Sequence, residues 1–161
     1  MIRVETSIVV DAPIETIFDL ARDIDVHTRT VWKHTKERAV AGRTSGKIER
    51  GETVTFQATH LGVRQKLTSE IVEFDRPRRF VDRMVRGAFK SMRHEHDFVQ
   101  IGGGAQTLMK DTLTFSAPLG PLGRLVERII LRRYMTRFLE DRNRALKKLA
   151  EGMAAKGSVQ R

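Results

Sequence analysis

Beyond residue 121 the apolar residues fall into a helical stripe unlike anything earlier in the chain. Leu122, Leu125, Val126, Ile129, Ile130, Met135, Phe138, Leu139, Leu146 and Leu149 recur mostly at intervals of three and four, the repeat of one face of an α-helix. This predicts a helix from Leu122 to about Met153. An apolar face of that length has to be buried against another element, and the preceding sequence reads as strands. Ile2–Val10 alternates Val4, Thr6, Ile8 and Val10 against Arg3, Glu5, Ser7 and Val9, the period of two of a strand. At Asp11-Ala12-Pro13 the alternation stops. Asp11 is read as an N-cap and Pro13 as the first residue of a short helix, Pro13–Ala21, burying Ile17, Phe18 and Leu20. A second short helix is expected over Val26–Trp32. Six strands follow, Thr35–Gly42, Thr53–His60, Val63–Phe74, Phe80–Arg86, Phe89–Ile101 and Ala105–Ala117, separated by Gly, Pro and charged turns. Their hairpin connections predict an antiparallel sheet. Pro118–Gly123 is a stiff loop leading into the long helix.

The chain has 161 residues, 40% of them hydrophobic and 31% charged, which fits one soluble domain with a real core. We place that domain at 1–153 and read 154–161 as a poorly ordered tail. The absence of cysteine excludes disulfides, thiolate metal sites, iron–sulfur clusters and cysteine nucleophiles. The N-terminus has no leader-like pattern, and nowhere do eighteen apolar residues run together, so a cytoplasmic location is expected. The formal charge is +10, and residues 120–161 carry 11 basic against 4 acidic residues, net +7. Arg124, Arg128, Arg132, Arg133 and Arg137 therefore form a basic helix face of the kind that meets nucleic acid or an anionic membrane. With only 6% aromatic residues, the chain lacks the stacking rings of a single-strand binder, and a solvated helix face is the simpler reading.

Several stretches carry a resemblance to a known family. Val10-Asp11-Ala12-Pro13-Ile14-Glu15-Thr16-Ile17-Phe18 is similar to the strand-to-helix opening of the START-like superfamily, which includes the birch-pollen allergen and the polyketide cyclases. Gly46-Lys47-Ile48-Glu49-Arg50-Gly51-Glu52-Thr53-Val54-Thr55-Phe56, His60-Leu61-Gly62 and Arg76-Pro77-Arg78-Arg79-Phe80-Val81-Asp82 extend the likeness. So do Gly87-Ala88-Phe89-Lys90, Arg93-His94-Glu95-His96-Asp97-Phe98, Thr107-Leu108-Met109-Lys110-Asp111 and Pro118-Leu119-Gly120. Together they resemble a bacterial subgroup of stand-alone ligand-binding members. The resemblance implies an α+β helix-grip fold, in which a curved antiparallel sheet of about seven strands wraps a long C-terminal helix. It also implies a pocket between sheet and helix for a small hydrophobic or amphipathic molecule of lipid, polyketide or aromatic type. It carries no catalytic signature and no cofactor.

Strand alternation gives the inward faces, which the resemblance implies would wall the pocket and which ordinary packing would make plain core. Val54, Phe56, Ala58 and His60 share one face, as do Leu67, Ser69 and Ile71. Met92, His94, His96 and Phe98 share another, and Met109, Asp111, Leu113 and Phe115 a fourth. Leu131, Tyr134, Met135 and Phe138 of the long helix close the floor, and Trp32 with His34 borders the mouth. Arg83, Arg86 and Arg93 are candidates to meet a ligand carboxylate. His94-Glu95-His96 is the sharpest polar feature, since two histidines at i and i+2 of a strand point the same way. That geometry suits two metal ligands or acid–base work on one substrate. Neither Asp111 nor His60 has a spacing that demands metal, so no metal site is assigned. Acid–base chemistry of cyclase, dehydratase or hydrolase type would use His94 or His96, with Asp111 orienting one of them. That pairing depends on the Gly102-Gly103-Gly104 hairpin, because a one-residue slip moves Asp111 to the opposite face. Histidines satisfied by ordinary hydrogen bonds at the pocket rim are the plainer reading. The serines lack a nucleophile-elbow context. A homodimer through a sheet edge or through Leu119–Leu122 is also open.

Overall fold

The alternating segments pair into one antiparallel sheet, and the computed structural model describes residues 1–116 and 127–159. The elements are β1 (Ile2–Val10), α1 (Ile14–Ala21), α2 (Ile24–Thr30), β2 (Arg38–Gly42), β3 (Thr53–His60), β4 (Val63–Asp75), β5 (Arg79–Arg86), β6 (Ser91–Ile101), β7 (Gln106–Ser116) and α3 (Arg132–Val159). Strand order is β1-β7-β6-β5-β4-β3-β2, so the meander of β2 to β7 is completed by β1 beside β7, and β1 and β2 form the edges. The long helix lies across the sheet, packed on β1, α1 and α2. This is the helix-grip arrangement, with seven strands. The loop Leu119–Leu122, considered above as a dimer contact, and Arg124 lie outside the described residues.

Element ends differ from expectation for local reasons. Asp11 does not cap α1; the cap position is Pro13, which has no side chain to offer, and the Asp11 carboxylate accepts from Gln106 Nε2 at 2.5 Å. Asp23 caps α2 instead, accepting from the Asp25 and Val26 amides, so that helix starts and ends two residues earlier than the apolar pattern suggested. A 3₁₀ turn at Lys33–Thr35 and a left-handed Lys36 (φ 50°) delay β2 to Arg38. At the other end, a π turn over Glu127–Leu131 precedes α3. The extra residue in such a turn rotates the following helix relative to it, which leaves Ile129 and Ile130 half exposed rather than on the buried stripe. The helix then runs to Val159, past the expected end at Met153, and Ala154 still packs against the core.

The interior has two apolar clusters. The first gathers Val10, Ile17, Phe18, Ile71, Phe80, Phe98, Met109, Leu146 and Ala150, among others, under α1 and the C-terminal half of α3. Phe18 is fully enclosed at its centre, edge-on to Phe74, Phe80 and Phe98 with centroids 5.3–5.6 Å apart, the preferred aromatic geometry. The second gathers Ile2, Val4, Met92, Leu113, Phe115 and Leu139, with Leu67, Met84, Phe89, Leu131 and Met135 half buried around it. The opposite face of the sheet carries a lattice of ion pairs in which Arg79 bridges Glu73, Glu95 and Asp97, and Arg93 bridges Glu73 and Glu95.

Two turns set the register. Gly102, Gly103 and Gly104 all adopt positive φ (58°, 66° and 98°), a path for which glycine carries no steric penalty. The resulting hairpin pairs His96 with Asp111 and His94 with Leu113. Between β3 and β4 the connection is two residues, Leu61 (φ 50°) and Gly62 (φ 79°), with His60 paired to Val63; two successive positive φ angles mark a type I′ turn. Leu61 is a poor occupant of that position and its side chain is exposed. Leu61→Asn is expected to raise stability by about 1 kcal/mol by relieving the left-handed penalty. Phe18→Ala is expected to lower it by about 3–5 kcal/mol. Urea denaturation followed by circular dichroism measures both.

Candidate functional site

The residues that separate the two apolar clusters are polar, and they form a band across the concave face. On β1 Thr6 lies between Val4 and Ile8; on β7 Asp111 lies between Leu113 and Met109. His94 and His96 lie between Met92 and Phe98 on β6, Asp82 between Met84 and Phe80 on β5, and Ser69 between Leu67 and Ile71 on β4. From above, α3 adds Arg142 and Asn143 between Leu139 and Leu146. Because side chains alternate along a strand, each of these positions faces the helix once its apolar neighbours do.

Asp111 is the hub. It is 1% exposed, its Oδ1 lies 3.1 Å from His94 Nε2 and 2.6 Å from His96 Nδ1, and its Oδ2 accepts from Asn143 Nδ2 at 2.6 Å. Asn143 Nδ2 also reaches Thr6 Oγ1 at 3.2 Å. On the far side of the rings, Asp82 Oδ2 lies 3.8 Å from His94 Nδ1 and 3.4 Å from His96 Nε2. The two rings are 3.9 Å apart, and His96 also stacks on Phe80 at 4.1 Å.

Charge within the band follows from these contacts. Burial opposes ionisation of Asp111, but the two histidines outweigh it and hold the carboxyl well below its ordinary range. The same competition, with His96 and His94 prevailing, lowers Asp82. Burial pushes His96 down, yet the flanking carboxylates of Asp111 and Asp82 outweigh it and raise this imidazole. His94 goes the other way, lowered by burial and by the neighbouring His96. Two adjacent histidines thus have their proton affinities pushed apart, the usual condition for assigning different roles to paired groups.

A second polar cluster lies where α2, β3 and α3 converge. Glu37 has a 6% exposed side chain, with Oε1 2.6 Å from His27 Nε2 and Oε2 3.8 Å from His60 Nε2. His60 Nδ1 is hydrogen-bonded to the Tyr134 hydroxyl at 2.8 Å, and Trp32 packs edge-on against Tyr134 and Phe138 and donates its indole N–H to Asp141 at 3.0 Å. Phe56 is stacked under His27. Burial opposes ionisation of Glu37, but His27 and His60 outweigh it and hold its pKa down to about 2; burial and Glu37 together raise Tyr134.

Set against the residues named from sequence, the fold brings Ser69, His94, His96 and Asp111 together in the band, and Trp32, Phe56, His60, Tyr134 and Phe138 together in the second cluster. Ile71, Phe98 and Phe115 are enclosed in the apolar clusters, while Leu67 is only half buried. Arg83 and Arg93 are engaged by carboxylates, Glu70 for the first and Glu73 and Glu95 for the second, and Arg86 is exposed. Arg142, by contrast, is an interior cation, 3% exposed, with Nη2 donating to Ala21 O at 3.2 Å and Nε without a partner among the described residues. On the outside of α3, Arg132, Arg133 and Arg137 line a shallow groove with Thr136, Glu140, Asp141 and Arg144, in which Glu140 and Asp141 pair with Arg144. Arg128 lies in the π turn.

Asp82, Glu37, His27, Arg142 and Asn143 were not singled out from sequence. Asp82 alternates with Phe80 and Met84 on one strand face, and that is the signal that could have found it.

A family model described as polyketide cyclase / dehydrase and lipid transport matches residues 1–151. Among solved structures, a protein from Thermus thermophilus is 20% identical, with 95% of this chain and 99% of that one covered at a TM-score of 0.74. A START superfamily protein from Mycobacterium smegmatis is 16% identical, covering 94% and 98% at 0.71. Ginseng major latex-like protein 151 from Panax ginseng is 14% identical, covering 92% and 96% at 0.62. At these identities the likeness is one of fold. A search of curated proteins found no match. Among the described residues, no helix is long and apolar enough to cross a membrane.

The Glu37 cluster makes a pH-dependent contribution whose sign is fixed. Its folded pKa, about 2, lies below the ordinary 4.5, so the stabilisation is present above pH 4.5 and is lost as pH falls from there towards 2. Glu37→Gln is expected to flatten the acid-side decline by up to about 3 kcal/mol. Unfolding midpoints recorded from about pH 6 down to about pH 2, a range that spans both values, measure the difference.

Proposed function

Because the chain belongs to the polyketide cyclase/dehydrase and lipid transport family, we propose that it binds a small amphipathic molecule between the sheet and α3. The observation that carries this reading is a pair of buried polar atoms under the helix with no hydrogen-bond partner among the described residues, Arg142 Nε and Asn143 Oδ1. Each unsatisfied buried group costs about 1–3 kcal/mol, so an interior that keeps two of them favours whatever supplies their partners. A ligand with an apolar body and an anionic or hydrogen-bonding end does so. The body would lie along Leu67, Met84, Phe89, Leu131 and Met135, the half-buried apolar side chains over the second cluster. The polar end would face Arg142 and the band.

A second reading is favoured by the oppositely shifted histidines: an enzyme of cyclase, dehydratase or hydrolase type in which His94 or His96 moves a proton on the bound molecule. It differs from simple binding in one respect. His94→Ala or His96→Ala would then abolish turnover while leaving affinity nearly intact.

Native mass spectrometry of freshly purified protein, set against the same sample denatured, tests the proposal. An apolar adduct released on denaturation is the expected result. Arg142→Met is then expected to weaken binding of a fluorescent long-chain carboxylate by about tenfold or more, with little effect on a neutral probe of similar size. A bare mass together with no saturable uptake of either probe would sink the reading.

A further inference from the structure

The spacing of the chain offered Asp111 and His60 as companions to the histidine pair, but the fold supplies a different third residue. Asp82 is paired with His94 across the β5–β6 ladder, and Asp82, His94 and His96 each bring one donor atom to within 4.8 Å of the other two. Two of these separations are 3.8 Å, His94 Nδ1 to Asp82 Oδ2, and 3.4 Å, His96 Nε2 to Asp82 Oδ2. A tetrahedral zinc ion holds nitrogen and oxygen at roughly 2.0–2.1 Å, which sets neighbouring donors about 3.3 Å apart. Two of the three donor separations are therefore already close to a tetrahedral edge, and the third lies within 4.8 Å.

We propose that Asp82, His94 and His96 form a binding site for a divalent transition metal of the zinc type, with the fourth position left to water or to a ligand group. Three further observations support it. First, the ring nitrogen of His94 turned away from Asp82 is hydrogen-bonded to Asp111 Oδ1 at 3.1 Å, and that of His96 makes a 2.6 Å ion-pair contact with the same oxygen. A carboxylate behind a metal-bound imidazole fixes its tautomer and orientation, and Asp111 is itself held by Asn143. Second, the two imidazoles stand between two carboxylates, Asp82 on one side and Asp111 on the other, an anionic setting that a bound cation would balance. Third, the metal side is the accessible side: the Asp82 and His94 side chains are 16% and 13% exposed, whereas Asp111 is enclosed. Two imidazoles and one carboxylate favour zinc, cobalt or ferrous iron over magnesium or calcium. The site does not require the amphipathic ligand, and metal binding can be tested without it.

The test is a titration of chelator-treated full-length protein with zinc chloride by calorimetry, and with cobalt chloride by visible absorption. The expected result is one equivalent bound, with the intense visible bands of four-coordinate cobalt. Asp82→Ala and His94→Gln are each expected to weaken binding at least a hundredfold. Asp111→Asn should weaken it about ten- to a hundredfold while keeping one-to-one stoichiometry, the signature of a supporting residue. Glu37→Gln should leave the stoichiometry and the cobalt spectrum unchanged. Far-UV circular dichroism of each metal-free variant establishes that it folds, and if Asp82→Ala does not, His94→Gln decides alone. Absence of saturable one-to-one binding would overturn the proposal. So would binding that survives His94→Gln, or that is lost only in Glu37→Gln, which would place the metal at the His27–Glu37–His60 cluster.

Discussion

A carboxylate sealed inside a protein has to be surrounded by donors, and the way Asp111 meets that demand organises the whole interior. It draws on β6 through His94 and His96, on α3 through Asn143 and, through that amide, on β1 at Thr6. Those contacts exist in only one strand register and one rotational setting of the helix. A shift of one residue in the β6–β7 hairpin would turn Asp111 to the outer face, among the ion pairs of Arg79 and Arg93, and would leave His94 without its acceptor and His96 without its counter-charge. The hydrophobic effect brings the long helix down onto the sheet. The buried carboxylate selects which helix residue stands opposite which strand residue.

The same group explains why the core is divided. Apolar side chains alone would pack into one continuous cluster, but a row of polar positions crosses five neighbouring strands and is met from above by Arg142 and Asn143. On one side of this row Phe18 and its aromatic neighbours are fully enclosed. On the other, Leu67, Met84, Phe89, Leu131 and Met135 remain half buried. The histidines stand at the border and experience both environments. Neighbouring carboxylates raise His96, whereas burial and its charged neighbour lower His94.

Much of this was legible in the sequence because strand periodicity is a local property. The alternation of Met92, His94, His96 and Phe98, and of Met109, Asp111, Leu113 and Phe115, puts the histidines and the aspartate on inward faces, and the three glycines at 102–104 mark the hairpin that aligns them. Residues whose role depends on distant partners were less visible. Asp82 sits in a strand whose pairing with β4 is interrupted by register shifts, so its neighbours could not be counted from spacing. Glu37 follows a left-handed Lys36 in a stretch with no periodicity. Arg142 looked like one more cation on a basic helix, and only the packing of α3 against α1 encloses it. Ile129 and Ile130 failed the pattern for the opposite reason: the π turn changes the phase of a stripe that reads as continuous.

The division of the core separates two kinds of obligation that are often mixed within one domain. The Phe18 compartment is held by short-range aromatic packing and by the C-terminal half of α3, where Leu146 and Ala150 are wholly enclosed. The other compartment is roofed by the N-terminal half of the helix, where the π turn has already broken the regular hydrogen-bond ladder. Phe115, Leu113 and Leu139 anchor that compartment, and its margin is the half-buried rim of Leu67, Met84, Phe89, Leu131 and Met135. Side chains around the half-buried cluster can therefore change shape with less cost to packing than those of the aromatic keel beneath α1, where every neighbour is in contact.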